Sequence, residues 1–110
     1  MIKENLIHHR EKEPFEEIKN GTKKIEIRLN DEKRQKIKIG YIIKVINKDN
    51  ENEILFVKVV ELSHFPSFEK LYDIFSNKIK DYEKEILNRV YSKEKENYYG
   101  VLVIHIELLN

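Results

Sequence analysis

The stretch that decides the fold is EPFEEIKNGTKKIEIRLNDEKRQKIKIG, residues 13–40. It opens with the marks of a two-turn helix. Pro14 suits the first helical position, Glu16 and Glu17 favour the positive end of the helix dipole, and Phe15 with Ile18 forms an i, i+3 apolar pair. Asn20-Gly21 supplies a left-handed stop. From Lys24 the period changes to two: Ile25, Ile27 and Leu29 share one face of a strand, and Lys24, Glu26 and Arg28 share the other. An apolar face turned inward makes those three charged residues look to solvent or into a polar cleft. The polar run 30–36 predicts a turn or short helix.

Outward from this stretch the elements follow. Asn5–His9 predicts a first strand. Tyr41–Asn47 and Glu53–Leu62 are β-branched runs joined by residues 48–52, which predicts a hairpin. Phe68, Leu71, Tyr72 and Phe75 recur at helical spacing with Ser67 as N-cap. Tyr82, Ile86, Leu87 and Val90 repeat the arrangement with Asp81 as cap. Residues 92–97 read as a solvated loop, and 98–109 as a closing strand with Gly100 as a bulge or bend. The class is α+β: about five strands, mostly antiparallel, rolled into a small barrel or curved sheet with helices at an end or side.

Composition bounds the function. A chain of 110 residues is one domain, 1–110, with a modest core. It has no cysteine, which excludes disulfides, thiolate metal sites and cysteine nucleophiles. Neither a signal-peptide h-region nor a membrane-spanning apolar run is present, so a cytoplasmic protein, monomeric by default and away from membranes, is expected. The 37% charged fraction would suit disorder, but 40% hydrophobic content, with only three Gly and two Pro, argues for a folded core. Residues 19–44 carry nine Lys or Arg against three acids, a local balance of +6 in a chain of net charge +1. Such a concentration focuses a field on an anion.

On an extended strand, Lys24, Glu26 and Arg28 stand roughly 6.6 Å apart in sequence order and point the same way. Lys23 lies at the strand mouth after the Gly21 turn. Cations bracketing a carboxylate offer anion contacts and one acceptor for a donor N–H, as a nucleobase carrying a phosphate requires. Lys33, Arg34, Lys36 and Lys38 would form a phosphate-contacting rim. The competing reading is a solvated charged face, whose ion pairs contribute roughly 0–1 kcal/mol each. His8 and His9 face opposite ways on a strand, and His64 and His105 stand alone, so no metal and no cofactor is expected. Ser63, Ser67, Ser76 and Ser92 lack a nucleophile-elbow context, and no glycine-rich phosphate loop exists. Some of Tyr91, Tyr98 and Tyr99 are read as packing the joint between the last helix and the final strand, with base stacking as the alternative.

With these residues in view, the chain resembles the ASCH domain family of the PUA-like superfamily, and in particular small bacterial stand-alone members. The likeness covers nearly the full length. It rests on the helix 13–20, on Gly21, Lys23, Ile25 and Arg28 at the spacing Gly-x-Lys-x-[Ile/Val]-x-x-Arg, on the RLNDEKR turn, and on the closing strand. The resemblance implies a mostly antiparallel barrel of five to six strands with two to three helices, and a cleft suited to RNA, nucleotides or modified nucleosides. It also implies, for one branch, hydrolysis of the acetyl amide of N4-acetylcytidine by a lysine, a threonine and a downstream glutamate. The lysine falls on Lys23 and the arginine on Arg28. Glu26 replaces the threonine, Glu83 and Glu85 are the candidates for the downstream glutamate, and Tyr41 stands where the family usually has aspartate after glycine. A carboxylate cannot replace a hydroxyl nucleophile; Glu26 would act as a general base on water, or only accept a hydrogen bond.

The expected function is therefore RNA or nucleotide binding through Lys23, Lys24, Glu26, Arg28, Lys33, Arg34 and Lys36. A small amidohydrolase using Lys23 and Glu26 (a nuclease less so) and a non-enzymatic regulatory interaction domain are the alternatives.

Overall fold

The structure is a computed structural model that describes residues 2–109. The elements run β1 (Leu6–Arg10), α1 (Lys12–Lys19), β2 (Ile25–Leu29), a 3-10 turn (Arg34–Lys36), β3 (Ile42–Asn47), β4 (Asn50–Phe65), α2 (Phe68–Phe75), α3 (Asp81–Val90), α4 (Lys93–Tyr99) and β5 (Val101–Leu109). The strands form one five-stranded sheet in the order β1-β3-β4-β5-β2. β1 lies parallel to β3, with Leu6 opposite Ile43 and Arg10 opposite Asn47. β3 and β4 are antiparallel, with Ile42 opposite Lys58. Ile106 N–H donates to Lys24 O and Asn30 N–H to Gly100 O, so β5 and β2 also run antiparallel.

The backbone groups into two compact units. The first holds the segment up to Glu26, Ile37–Leu62 and the chain from Ile104 onward; the second holds Ile27–Lys36 and Ser63–Val103. Phe15, Ile18, Ile43, Val45, Val57, Val59 and Ile106 are buried in the first. Phe68, Leu71, Leu87, Val101, Leu102 and Val103 are buried in the second. Val101 to Ile104 are all buried, because β5 has strands on both sides and both of its faces are covered.

Helix α1 starts at Lys12 after Glu11, so Pro14 stands third rather than first. Its missing N–H still falls among the donors that a first turn leaves without intrahelical partners. Asn20 closes the helix at φ −88°, and Gly21 alone turns left-handed at φ 83°. The N–H groups of Thr22 and Lys23 both donate to Glu17 O at 3.0 Å, which steers the chain from α1 into β2. The hairpin has a tighter turn than 48–52: β4 begins at Asn50, leaving Lys48 and Asp49. Asn47, 2% exposed, holds that turn by accepting Asp49 N–H at 2.9 Å. Tyr41 keeps its turn through backbone bonds, its N–H donating to Lys38 O and its carbonyl accepting from Val59.

Three expectations are corrected in the second unit. Residues 93–99 are a helix rather than solvated loop, with Ser92 accepting Lys95 N–H at 3.2 Å. That makes four helices instead of two or three and places Tyr98 and Tyr99 before β5 rather than in it. KEKENYY carries no apolar period because its buried side chain is a carboxylate: Glu96, 2% exposed, accepts Phe68 N–H at the start of α2. In α3 the N-cap is Lys80 rather than Asp81. Leu87 is buried there, while Ile86 and Val90 are exposed.

Candidate nucleic-acid interface

Alternation along β2 is regular, but both of its faces are covered: Ile25, Glu26, Ile27 and Leu29 are all buried. Glu26 is only 3% exposed. A carboxylate so placed is stable when it is paired with cations. Lys23 Nζ lies 3.5 Å from Glu26 Oε1, and Arg10 Nε lies 3.1 Å from Oε2. The Gly21 turn and the Lys23 N–H bond to Glu17 O deliver Lys23 to this position. Arg10 comes from β1, where Leu6, His8 and Arg10 alternate as the half-buried face. Since β1 and β2 stand at opposite ends of the strand order, the Arg10–Glu26 pair joins the two outer strands through side chains. The Arg10 side chain retains 21% exposure, against 6% for Lys23 and 4% for Glu26. Lys23 and Glu26 are thus nearly fully buried, and of the three it is the Arg10 side chain that keeps a share of its surface exposed, its Nε being buried against the carboxylate.

The remaining expected residues sit elsewhere. Lys24 is exposed at the entry to β2. Arg28 belongs to the second unit, half-buried, with Nη1 donating to Ile27 O at 2.7 Å. Arg34 is tied to Asp31, its Nη1 lying 3.1 Å from Oδ2 and its backbone N–H donating to Oδ1. Lys33 and Lys36 are exposed on the same turn, and Lys38 is exposed in the first unit. Glu83 is half-buried in the first turn of α3, and Glu85 is exposed. Burial first, then the charges of Glu96 and Glu83, push the Tyr72 hydroxyl up to about 12. Lys84 Nζ lies 5.2 Å above its ring. Tyr91 stacks on Phe68 of α2, with centroids 5.9 Å apart, rather than at the joint between the last helix and the final strand, and Tyr98 is 81% exposed.

Arg10 is the residue that sequence reasoning missed. Nothing local marks it: it ends the run LIHHR and gains its partner only because β1 is laid against β3. Among the described residues, no three His, Asp or Glu side chains gather as a metal site requires, and no helix is long and apolar enough to cross a membrane.

Comparison with known proteins bears on both fold and family. The ASCH domain model matches residues 9–110. The crystal structure of the hypothetical protein PH0355 is similar at TM-score 0.75 and 32% identity, covering 94% of this chain and 98% of that one. The solution structure of protein PF0455 from Pyrococcus furiosus is similar at TM-score 0.72 and 30% identity, covering 96% and 97% respectively. No curated protein shows significant similarity to the sequence. The fold is α+β and PUA-like. With the family model spanning nearly the whole chain, this protein belongs to the ASCH domain family.

Proposed function

We propose that this ASCH domain binds RNA or a nucleotide, with Arg10 as its central anion contact and Lys23 and Glu26 holding that arginine in place. The observation that carries the reading is the buried Glu26 carboxylate fixed between two cations, one of which, Arg10, keeps 21% of its side chain exposed. A planar guanidinium whose position is set in advance loses little side-chain freedom when it forks onto a phosphate or a base edge. Lys24 supplies a further, mobile phosphate contact on the first unit. Lys33, Arg34 and Lys36, with the adjoining Arg28, are the cations of the second.

Titrating a labelled single-stranded RNA of roughly ten nucleotides at two salt concentrations tests this. Arg10→Ala is expected to weaken binding about tenfold and to reduce the slope of log affinity against log salt by about 0.7. Unchanged affinity and slope would sink the proposal. Hydrolysis is less well supported by the same geometry. A general base must reach the proton it removes, whereas both Glu26 oxygens lie beside cations and the side chain is 4% exposed. Incubation with N4-acetylcytidine, following cytidine by chromatography, is expected to give no turnover.

A further inference from the structure

Among the described residues, Tyr98 is the most exposed of the large hydrophobic side chains, at 81%, yet its ring has a neighbour. Its ring meets that of Tyr99 edge to face, with centroids 4.8 Å apart and planes at 90°. Tyr99 in turn donates its hydroxyl to Glu32 Oε1 at 3.0 Å, and that bond, first among the causes, raises its hydroxyl above the ordinary tyrosine value. A second tie runs beside it, from Asn30 N–H to Gly100 O. The end of α4 is therefore fastened at two points to the turn 30–36. On that turn both carboxylates are engaged, Asp31 with Arg34 and Glu32 with Tyr99. Lys33 and Lys36 face solvent there. An aromatic ring with an open face, braced from behind, thus stands on the segment bonded to a lysine-bearing turn.

From this arrangement we infer that Tyr98 is a stacking platform for one unpaired base of single-stranded RNA, with Lys33 and Lys36 taking the flanking phosphates. The inference rests on the RNA-binding reading above and adds a contact of a different kind in the second unit. Every nucleobase has a π-face, so such a platform would add affinity without sequence preference. A protein-docking role fits less well. The other exposed residues of α4 are Lys93, Glu94, Lys95 and Asn97, all polar, so the helix itself adds no apolar surface to the ring as an interface centre requires.

The chain has no tryptophan, so Tyr98→Trp installs a sole indole reporter at the platform. Titration with single-stranded RNA of roughly ten nucleotides is expected to quench that fluorescence, and an abasic oligonucleotide of equal length and charge is expected not to. Tyr98→Ala should weaken RNA binding about five- to a hundredfold while leaving the salt slope unchanged, because no charge is removed. Lys33→Ala with Lys36→Ala should lower the slope. Wild-type binding that persists unchanged in Tyr98→Ala, or equal quenching by the abasic strand, overturns the platform while leaving the Arg10 reading intact. Loss of self-association in Tyr98→Ala with RNA affinity unaltered would assign the ring to protein contact and overturn it too. An RNA that binds neither wild type nor Tyr98→Trp at low salt removes both readings together.

Discussion

Replacing Glu26 by alanine would leave Lys23, its side chain 6% exposed, without the carboxylate 3.5 Å away. Removing one partner of a buried ion pair costs about 3 kcal/mol or more, because the desolvated charge left behind is no longer compensated. Urea denaturation should show this loss in Glu26→Ala, which takes the shared carboxylate from both Lys23 and Arg10. A loss below about 1 kcal/mol would show that the pair is solvated like a surface bridge. Tyr72 yields a second test at this scale. Its hydroxyl is raised from 10.0 to about 12, so the folded state holds that proton more tightly than the unfolded chain does. Its contribution to stability is present below pH 10 and is lost as pH rises from 10 towards 12. Denaturant midpoints across that window should fall less steeply in Tyr72→Phe than in wild type.

Among the elements, α4 and its exit show how the chain enforces local structure that hydrophobic period does not announce. Ser92 caps α4 by accepting Lys95 N–H, and Ser92→Ala should cost about 1 kcal/mol, read from the shift in urea midpoint. Gly100 leaves that helix at φ 75°, ψ −174°, a region essentially confined to glycine. A Cβ there would lie 3.1 Å from Phe65 O, so Gly100→Ala should cost about 2 kcal/mol by the same measurement. Strand and helix types were legible wherever a period was clean, as in KIEIRL and SFEKLYDIF. Residues 93–97 escaped that reading because four charged residues and an asparagine carry no apolar period, and their one buried side chain, Glu96, is held by a backbone donor rather than by apolar packing. β4 likewise extends to Asn50 and to Phe65, because ladder pairing rewards the backbone whether or not the side chains are apolar.

Across the whole molecule, charge is uneven rather than large. Net charge is +1, while residues 19–44 hold a balance of +6. On the proposed function, each cation that engages a single strand adds about 0.7 to the log–log salt slope, so RNA affinity should fall at least severalfold between about 50 and 200 mM salt. Filter binding or fluorescence anisotropy would check it; an affinity independent of salt would contradict an electrostatic grip. The seven expected contact residues do not share one unit: Lys23, Lys24 and Glu26 fall in the first, and Arg28, Lys33, Arg34 and Lys36 in the second. The positive stretch was readable in the chain, but its partition was not, since contiguity in sequence does not specify which packed unit each residue joins.

Period, turn chemistry and the Gly21–Arg28 spacing are properties of neighbouring residues, and they were enough to establish the α+β class and the family likeness. The burial of Glu26 and its pairing with Arg10 arose only when β1 and β2 took the two ends of the sheet order and their side chains met. That contact spans sixteen positions of sequence, from Arg10 to Glu26, and depends on strand pairing that no local pattern encodes.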